Sequence, residues 1–237
     1  MKTEDDKKPR APFWKRQWRE WRWVVVFVVF VLIPLRSVLG DWNWVPTGSM
    51  NPTILEGDMV FINKAAYDLR FPLTLKRVWR WSHPQRGDIV VFFSPEDGTR
   101  LVKRVVGIPG DVIEMRINVL YINDQPLRYA SLEEDASSEV PDYLRRRSLF
   151  AREYLDDEGH AVMSIPGLRA RRDFRRVMVP EGHFFLMGDN RDNSKDSRFF
   201  GTVPKDQIIG RVSKVLLSFD QNDRFQPRTQ RFLKALE

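Results

Sequence analysis

The sequence predicts an all-β body of antiparallel strands carried behind one apolar N-terminal helix. Three observations carry that prediction. Short runs rich in Val, Ile and Phe recur behind Gly-Asp pairs. No long stretch after Gly40 repeats its apolar residues at helical spacing. Residues 23–35 form an uncharged apolar run bounded by Arg22 and Arg36.

The N-terminal element comes first. Residues 1–22 carry eight Lys/Arg against four Asp/Glu, a basic tail of the kind that stays on the cytoplasmic side of a membrane. Within it, Trp14, Trp18 and Trp21 recur at helical spacing between basic residues, which suggests an amphipathic helix on the inner surface. The run WVVVFVVFVLIPL that follows would make roughly 20 Å of helix, short of a hydrocarbon core about 30 Å thick. Arg22 and Arg36 have stems long enough to snorkel, and Trp18, Trp21 and Trp23 face Trp42 and Trp44 across the run as interfacial belts do. The expectation is a retained single-pass anchor over residues 23–40, with everything from Asp41 onward outside.

The strands follow in order. Gly57-Asp58 opens MVFIN, Gly87-Asp88 opens IVVFF, and Pro109-Gly110-Asp111 opens VIEMRI; Gly supplies turn geometry closed to the β-branched residues behind it. Residues 119–127 read as a strand, an Asn-Asp turn and a second extended piece, and 183–187 and 211–219 as later strands. The closing RFLKAL has the pattern of a short helix. Residues 123–178 stand apart, with ten Arg, no Lys and eleven Asp/Glu, and read as an inserted, salt-bridged subdomain or an extended ribbon, partly loop, any single residue of which is expected to be a solvated decoration. The body is therefore divided into 41–122 and 179–237 as the two parts of one β core, with 123–178 between them.

Composition narrows the chemistry. The net charge is +7, but residues 1–22 contribute +4 and residues 221–237 contribute four basic against two acidic side chains, so the ends hold +6 and the body is nearly neutral. A phosphate-tracking groove would concentrate its charge on the folded body, so nucleic acid is not the expected partner. There is no Cys, which removes disulfides, thiolate metal sites and a thiol nucleophile. The three His, at 83, 160 and 183, do not cluster at ligand spacing, so neither a metal nor any other cofactor is expected.

Three polar clusters remain. Pro46 to Thr53 (PTGSMNPT) lies just beyond the apolar run, and a serine in such a segment is ordinarily a turn residue. Lys103, in LVKRVVG, shares a strand face with Leu101 and Val105 while Arg104 points oppositely. A lysine on a strand is ordinarily a solvated defence of a sheet edge. On a buried face it loses its proton more readily and becomes a base for a serine. Residues 188–198 (GDNRDNSKDSR) suit a surface loop or a calcium loop, without the distal Glu and glycine placement of the latter.

Taken in order, the segment 46–58, RGDIVVF at 86–92, KRVVGIPGD at 103–111 and GDNRDNSKDSR at 188–198 resemble the bacterial type I signal peptidases. The resemblance covers the anchor and nearly all of the body outside 123–178. It implies antiparallel sheets of the signal peptidase type and a serine endopeptidase with Ser49 as nucleophile and Lys103 as general base. It implies an oxyanion hole from the Ser49 N–H and the Thr47 hydroxyl, where Ser is commoner in the family. Ser194 matches a serine that orients the lysine amine, and Asp189, Asp196 and Arg198 match residues whose ion pairs hold the site. Met50 and Pro52 match structural positions around the nucleophile, and Lys195, where small residues are usual, is expected to point outward. Val45, Ile54, Val60 and Val102 match the walls of apolar subsites that favour Ala-X-Ala ends. The implied partners are signal peptides of secreted preproteins, membrane lipid and, functionally, the export translocon. The implied location is the outer face of the bacterial inner membrane, periplasmic in a Gram-negative cell.

Three other readings fit less. A self-cleaving Ser-Lys repressor shares the dyad but carries a DNA-binding helical domain where this chain has an apolar run. A signal peptidase of the archaeal or endoplasmic-reticulum type carries His at the base position, which here is Lys103. A single-pass binding protein explains the topology but not the joint presence of Ser49, Lys103 and the 188–198 segment. Separately, Trp79-Arg80-Trp81 places two large aromatics around a cation, and is expected either in the core or dipping into the outer membrane interface.

Overall fold

The computed structural model describes residues 21–32, 39–70, 77–132, 137–221 and 223–236. The basic tail before residue 21, the anchor positions 33–38 and residues 71–76 beside Trp79 lie outside that set. Strands dominate the body as expected. They are β1 (Gly40–Trp44), β2 (Asp58–Asn63), β3 (Asp68–Arg70), β4 (Arg77–Arg80), β5 (Ile89–Phe93), β6 (Arg100–Gly107), β7 (Val112–Arg116), β8 (Val119–Ile122) and β9 (Gln125–Pro126). They continue as β10 (Arg128–Ser131), β11 (Leu149–Leu155), β12 (Glu158–Ser164), β13 (Phe174–Met178), β14 (His183–Met187), β15 (Val203–Pro204), β16 (Ile208–Asp220) and β17 (Gln226–Pro227). Every strand pairing is antiparallel.

The main sheet runs β1-β2-β16-β5-β6-β14-β15, a second runs β13-β7-β8-β9, and β10-β11-β12 form a third. One apolar cluster, with Val45, Met50, Ile54, Val60, Ile62, Val91 and Val212, lies beneath β1, β2, β5 and β16. Another, with Ile113, Met115, Leu120, Phe174, Phe185 and Met187, joins the second sheet to β14. Burial of these side chains, each contributing on the order of 1.5–3 kcal/mol, is what fixes the register of strands far apart in sequence.

The three Gly-Asp pairs build one local structure three times. Gly57, Gly87 and Gly110 sit at φ of 86°, 92° and 90°, a region that favours glycine. In each case the following Asp accepts a backbone N–H from three residues earlier: Leu55 to Asp58, Gln85 to Asp88 and Ile108 to Asp111. An arginine then neutralises each carboxylate: Arg231 for Asp58, Arg211 for Asp88 and Arg86 for Asp111. These turns aim β2, β5 and β7 into the core.

One expectation is corrected. The closing RFLKAL is not helical. Residues 233–236 run beside β16, with the Val215 N–H donating to Lys234 O at 2.8 Å and the Leu236 N–H to Ser213 O at 3.0 Å. β5 covers β16 only as far as Arg211, and an edge left open beyond it pairs with the tail instead. β1 begins at Gly40, directly after the helical Leu39, and residues 33–38 of the run leading to it lie outside the described residues. Residues 21–32 are helical, with a π turn over Val28–Leu32, and each of them is exposed. Among the described residues no helix is long and apolar enough to cross a membrane.

Not every residue of the 123–178 segment is solvated. β13 pairs with β7, and Glu153 on β11 is completely buried. Trp79 and Trp81 are 68 % and 51 % exposed, next to an equally exposed Val78, so they are surface and not core.

Candidate active site

Ser49 lies in a single 3-10 turn (Gly48–Met50) between β1 and β2. Met50 anchors the turn in the apolar cluster, and the Ile54 N–H donates to Met50 O at 2.9 Å. The distant 188–198 segment clamps it: the Asn190 N–H donates to Ser49 O at 3.1 Å, and Asn190 Nδ2 donates to Gly48 O at 3.0 Å. Gly188 permits the approach, because a Cβ there would stand 2.5 Å from Ser49 O and 2.3 Å from Ser194 Oγ. The contact with Ser49 O is impossible for any other residue unless the nucleophile's turn moves, and the contact with Ser194 requires that side chain to shift as well.

Lys103 arrives from β6, opposite Val90 of β5. It is 2 % exposed, and its Nζ donates to Ser49 Oγ at 2.8 Å and to Val102 O at 2.9 Å. Burial lowers its pKa from 10.5 to about 8; Asp196 and Asp189 oppose that shift, and Arg198 reinforces it. A lysine so placed is partly neutral near physiological pH and can accept a proton from the hydroxyl it touches.

The supporting residues form two linked ion pairs. Arg198 binds Asp196 through Nε at 2.8 Å and Nη2 at 2.9 Å. Burial pushes the Asp196 carboxyl up, but Arg198, the Gly188 N–H and the Ser194 hydroxyl outweigh it and hold the pKa below the ordinary value. Asp189 is gripped by Arg104, with Nε at 3.0 Å from Oδ1 and Nη2 at 2.9 Å from Oδ2, and accepts from Thr53 Oγ1 at 2.5 Å. Ser194 departs from expectation. Its hydroxyl donates to Asp196 at 2.7 Å, and the partners of the lysine amine are Ser49 and Val102 O. Asp196, a stronger acceptor than an amine, captures the hydroxyl. Lys195 points outward, 2.7 Å from Glu96.

Thr47 precedes the turn in extended conformation and does not cap it, which leaves its hydroxyl uncommitted to the turn. Val45, Ile54, Val60 and Val102 fall in one apolar cluster beside Ser49, but unevenly. Ile54 and Val60 are fully buried beneath the surface, whereas Val102 is partly open. Beyond them the strands leave a gap. β1 pairs only with β2 among the described strands, and β14 covers β6 only from Arg104 onward, so residues 100–103 have one open edge. Side chains join β1 and its following turn to β6 at two places, through the Ser49–Lys103 bond at one end and through Arg100 with Asp41 and Asn43 at the other.

Sequence reasoning missed Arg104, Thr53, Asn190, Arg191, Glu153 and His160. Arg191 Nη1 donates to the buried Glu153 at 2.7 Å, and Tyr129 OH donates to the same carboxylate at 2.5 Å. His160 lies 3.5 Å from Glu153 and 3.9 Å from Asp189. Burial, then Arg104 and Arg191, keep its pKa well below the ordinary histidine value, so it is neutral. Thr53, Arg104, Asn190 and Arg191 stood inside the motif segments that carry the resemblance; nothing in the sequence marked Glu153 or His160.

The profile of the family described as signal peptidase, peptidase S26, matches residues 18–217. Signal peptidase I of Pseudomonas fluorescens is 36 % identical over 206 residues, covering 82 % of this chain and 70 % of that protein. Signal peptidase I of Rickettsia akari is 33 % identical over 231 residues, covering 92 % of this chain and 85 % of that one. A signal peptidase I from Enterococcus faecalis V583 is 33 % identical and spans 55 % of this chain and 97 % of its own, but superposes with a TM-score of only 0.33.

Proposed function

This chain belongs to the signal peptidase family, peptidase S26, and we propose that it cuts preprotein signal peptides after small residues with a Ser49–Lys103 dyad. It is a serine peptidase of the signal peptidase I type. The observation that carries the dyad is the 2.8 Å contact between a buried lysine amine and the Ser49 hydroxyl.

In this reading neutral Lys103 takes the Ser49 proton as Oγ attacks the scissile carbonyl carbon. The Ser49 N–H and the Thr47 hydroxyl donate to the oxyanion that forms. The Lys103 ammonium then returns the proton to the leaving amine, the C–N bond breaks, and an acyl-serine remains on the enzyme. A water, deprotonated by the same amine, releases the acid. The substrate lies extended between the open edges of β1 and β6, adding a strand there. The narrow apolar wall of Val45 and Val102, backed by Ile54 and Val60, favours Ala-X-Ala ends.

The proposed setting is the outer face of a bacterial inner membrane, with the N-terminus inside and a single span near residues 23–40, close to where the translocon delivers its substrates. The exposed Val-rich helix at 21–32 and the exposed Val78, Trp79 and Trp81 support contact with lipid.

The full chain in detergent is expected to cut a fluorogenic peptide after the second Ala of an Ala-X-Ala end, and Ser49→Ala to leave it intact. Product analysis by mass spectrometry checks the bond. Cleavage that survives Ser49→Ala contradicts the proposal.

A further inference from the structure

Arg100 stands at the far end of the gap from the nucleophile. On β1, Asp41 and Asn43 share a face with Val45; on β6, Arg100 shares a face with Val102. Val45 and Val102 belong to one apolar cluster, and the next step along both strands is polar. There the Arg100 guanidinium lies 3.6 Å from Asp41 Oδ2. It also donates through Nη1 to the Asn43 carboxamide, at 3.0 Å in the orientation that lets Asn43 Nδ2 donate to Trp42 O. No backbone bond closes this end of the gap among the described residues; one side chain spans it.

We infer that Arg100 selects the substrate residue five positions before the cut, favouring an acidic side chain there and disfavouring a basic one. The inference rests on the dyad reading above. The contacts across the gap ascend together on both strands, from Asp41 and Asn43 with Arg100, through Val45 with Val102, to Ser49 with Lys103. A peptide lying parallel to both therefore meets them in reverse order upstream of its scissile bond. Alternate residues of an extended chain share a face, so the residues one, three and five before the cut point the same way. The first two meet the apolar wall. Arg100 precedes Val102 by two residues, the same step that separates the third upstream residue from the fifth.

The site can release Arg100 to a substrate without stranding a charge. Asp41 is also held by Lys64 Nζ at 3.2 Å, so its carboxylate keeps a cation when the guanidinium turns away. Arg100 itself is about one-third exposed, enough to change rotamer as a peptide enters.

The test is a peptide series identical except for Asp, Ala or Lys five residues before the cut, given to the full chain and to Arg100→Gln and Arg100→Glu in detergent. The wild-type protein is expected to favour Asp over Lys by about fivefold in kcat/KM, the order expected of a partly exposed ion pair, with the difference in KM. Arg100→Gln flattens the series, and Arg100→Glu inverts it. Equal rates across the wild-type series, or an order that survives Arg100→Glu, overturn the inference while Ser49-dependent cleavage leaves the dyad standing. A series cut equally by Ser49→Ala, or cut by no variant, removes both.

Discussion

Lys103→Met is expected to abolish cleavage and stabilise the protein at the same time. The loss in kcat/KM should reach about 10⁴-fold or more, the usual size when a nucleophile loses its base. The gain follows from linkage. Lys103 has a pKa of about 8 in the fold against 10.5 as ordinary lysine, so between those values the unfolded chain binds a proton that the folded one does not. Stability therefore rises with pH across that window, and below about pH 8 the fold carries the full cost of a buried ammonium. That cost is about 3 kcal/mol, and a methionine of similar length avoids it. Urea unfolding of Lys103→Met should show a gain of that order at pH 7 that shrinks toward pH 10. Lys103→Arg, which cannot release its proton, is expected to be as inactive as Lys103→Met. A destabilised Lys103→Met, or an active Lys103→Arg, is incompatible with the lysine described here.

The second large effect concerns Asp189. Arg104 and Asp189 are 2 % and 1 % exposed, and their bidentate pair ties β6 to the 188–198 segment that clamps Ser49. Removing the carboxylate with Asp189→Ala leaves a buried guanidinium without its acid, which costs about 3–5 kcal/mol. Asp189→Leu combined with Arg104→Met should recover most of that loss in urea unfolding, because neither charge then remains buried. Activity should stay low in the double variant, since Asp189 also supports the negative field at Lys103 and accepts from Thr53. A single variant that loses less than about 1 kcal/mol would place the anchoring of the segment elsewhere.

How much of this was legible in the sequence depended on whether the cause was local. The strand openings at Gly57, Gly87 and Gly110 were, because turn chemistry and the apolar run behind it sit in consecutive residues. The alternation that puts Lys103 on a buried face was legible for the same reason. The meeting of Ser49 with Lys103 was not, since the two are 54 residues apart and their encounter depends on how β6 crosses the β1–β2 loop. Only the family resemblance supplied it. The pairing of Arg104 with Asp189, 85 residues away, follows from the β6–β14 register and has no local signal. Glu153 failed for a further reason. In a segment balanced between ten Arg and eleven Asp/Glu, nothing distinguishes the one carboxylate buried against Arg191 from those in solvent. The final RFLKAL has helical spacing, yet an open edge of β16 offered it more hydrogen bonds than a single helical turn does.

The central claim is that Lys103 acts as a neutral amine, and the pH dependence of kcat/KM for an Ala-X-Ala peptide tests it most directly. That quantity titrates the essential groups of the free enzyme. It is expected to rise with pH through one ionisation near 8, the value at which burial leaves Lys103, and then to level off. A rise that continues to the ordinary lysine value of 10.5, or a rate indifferent to pH across that range, would contradict the account.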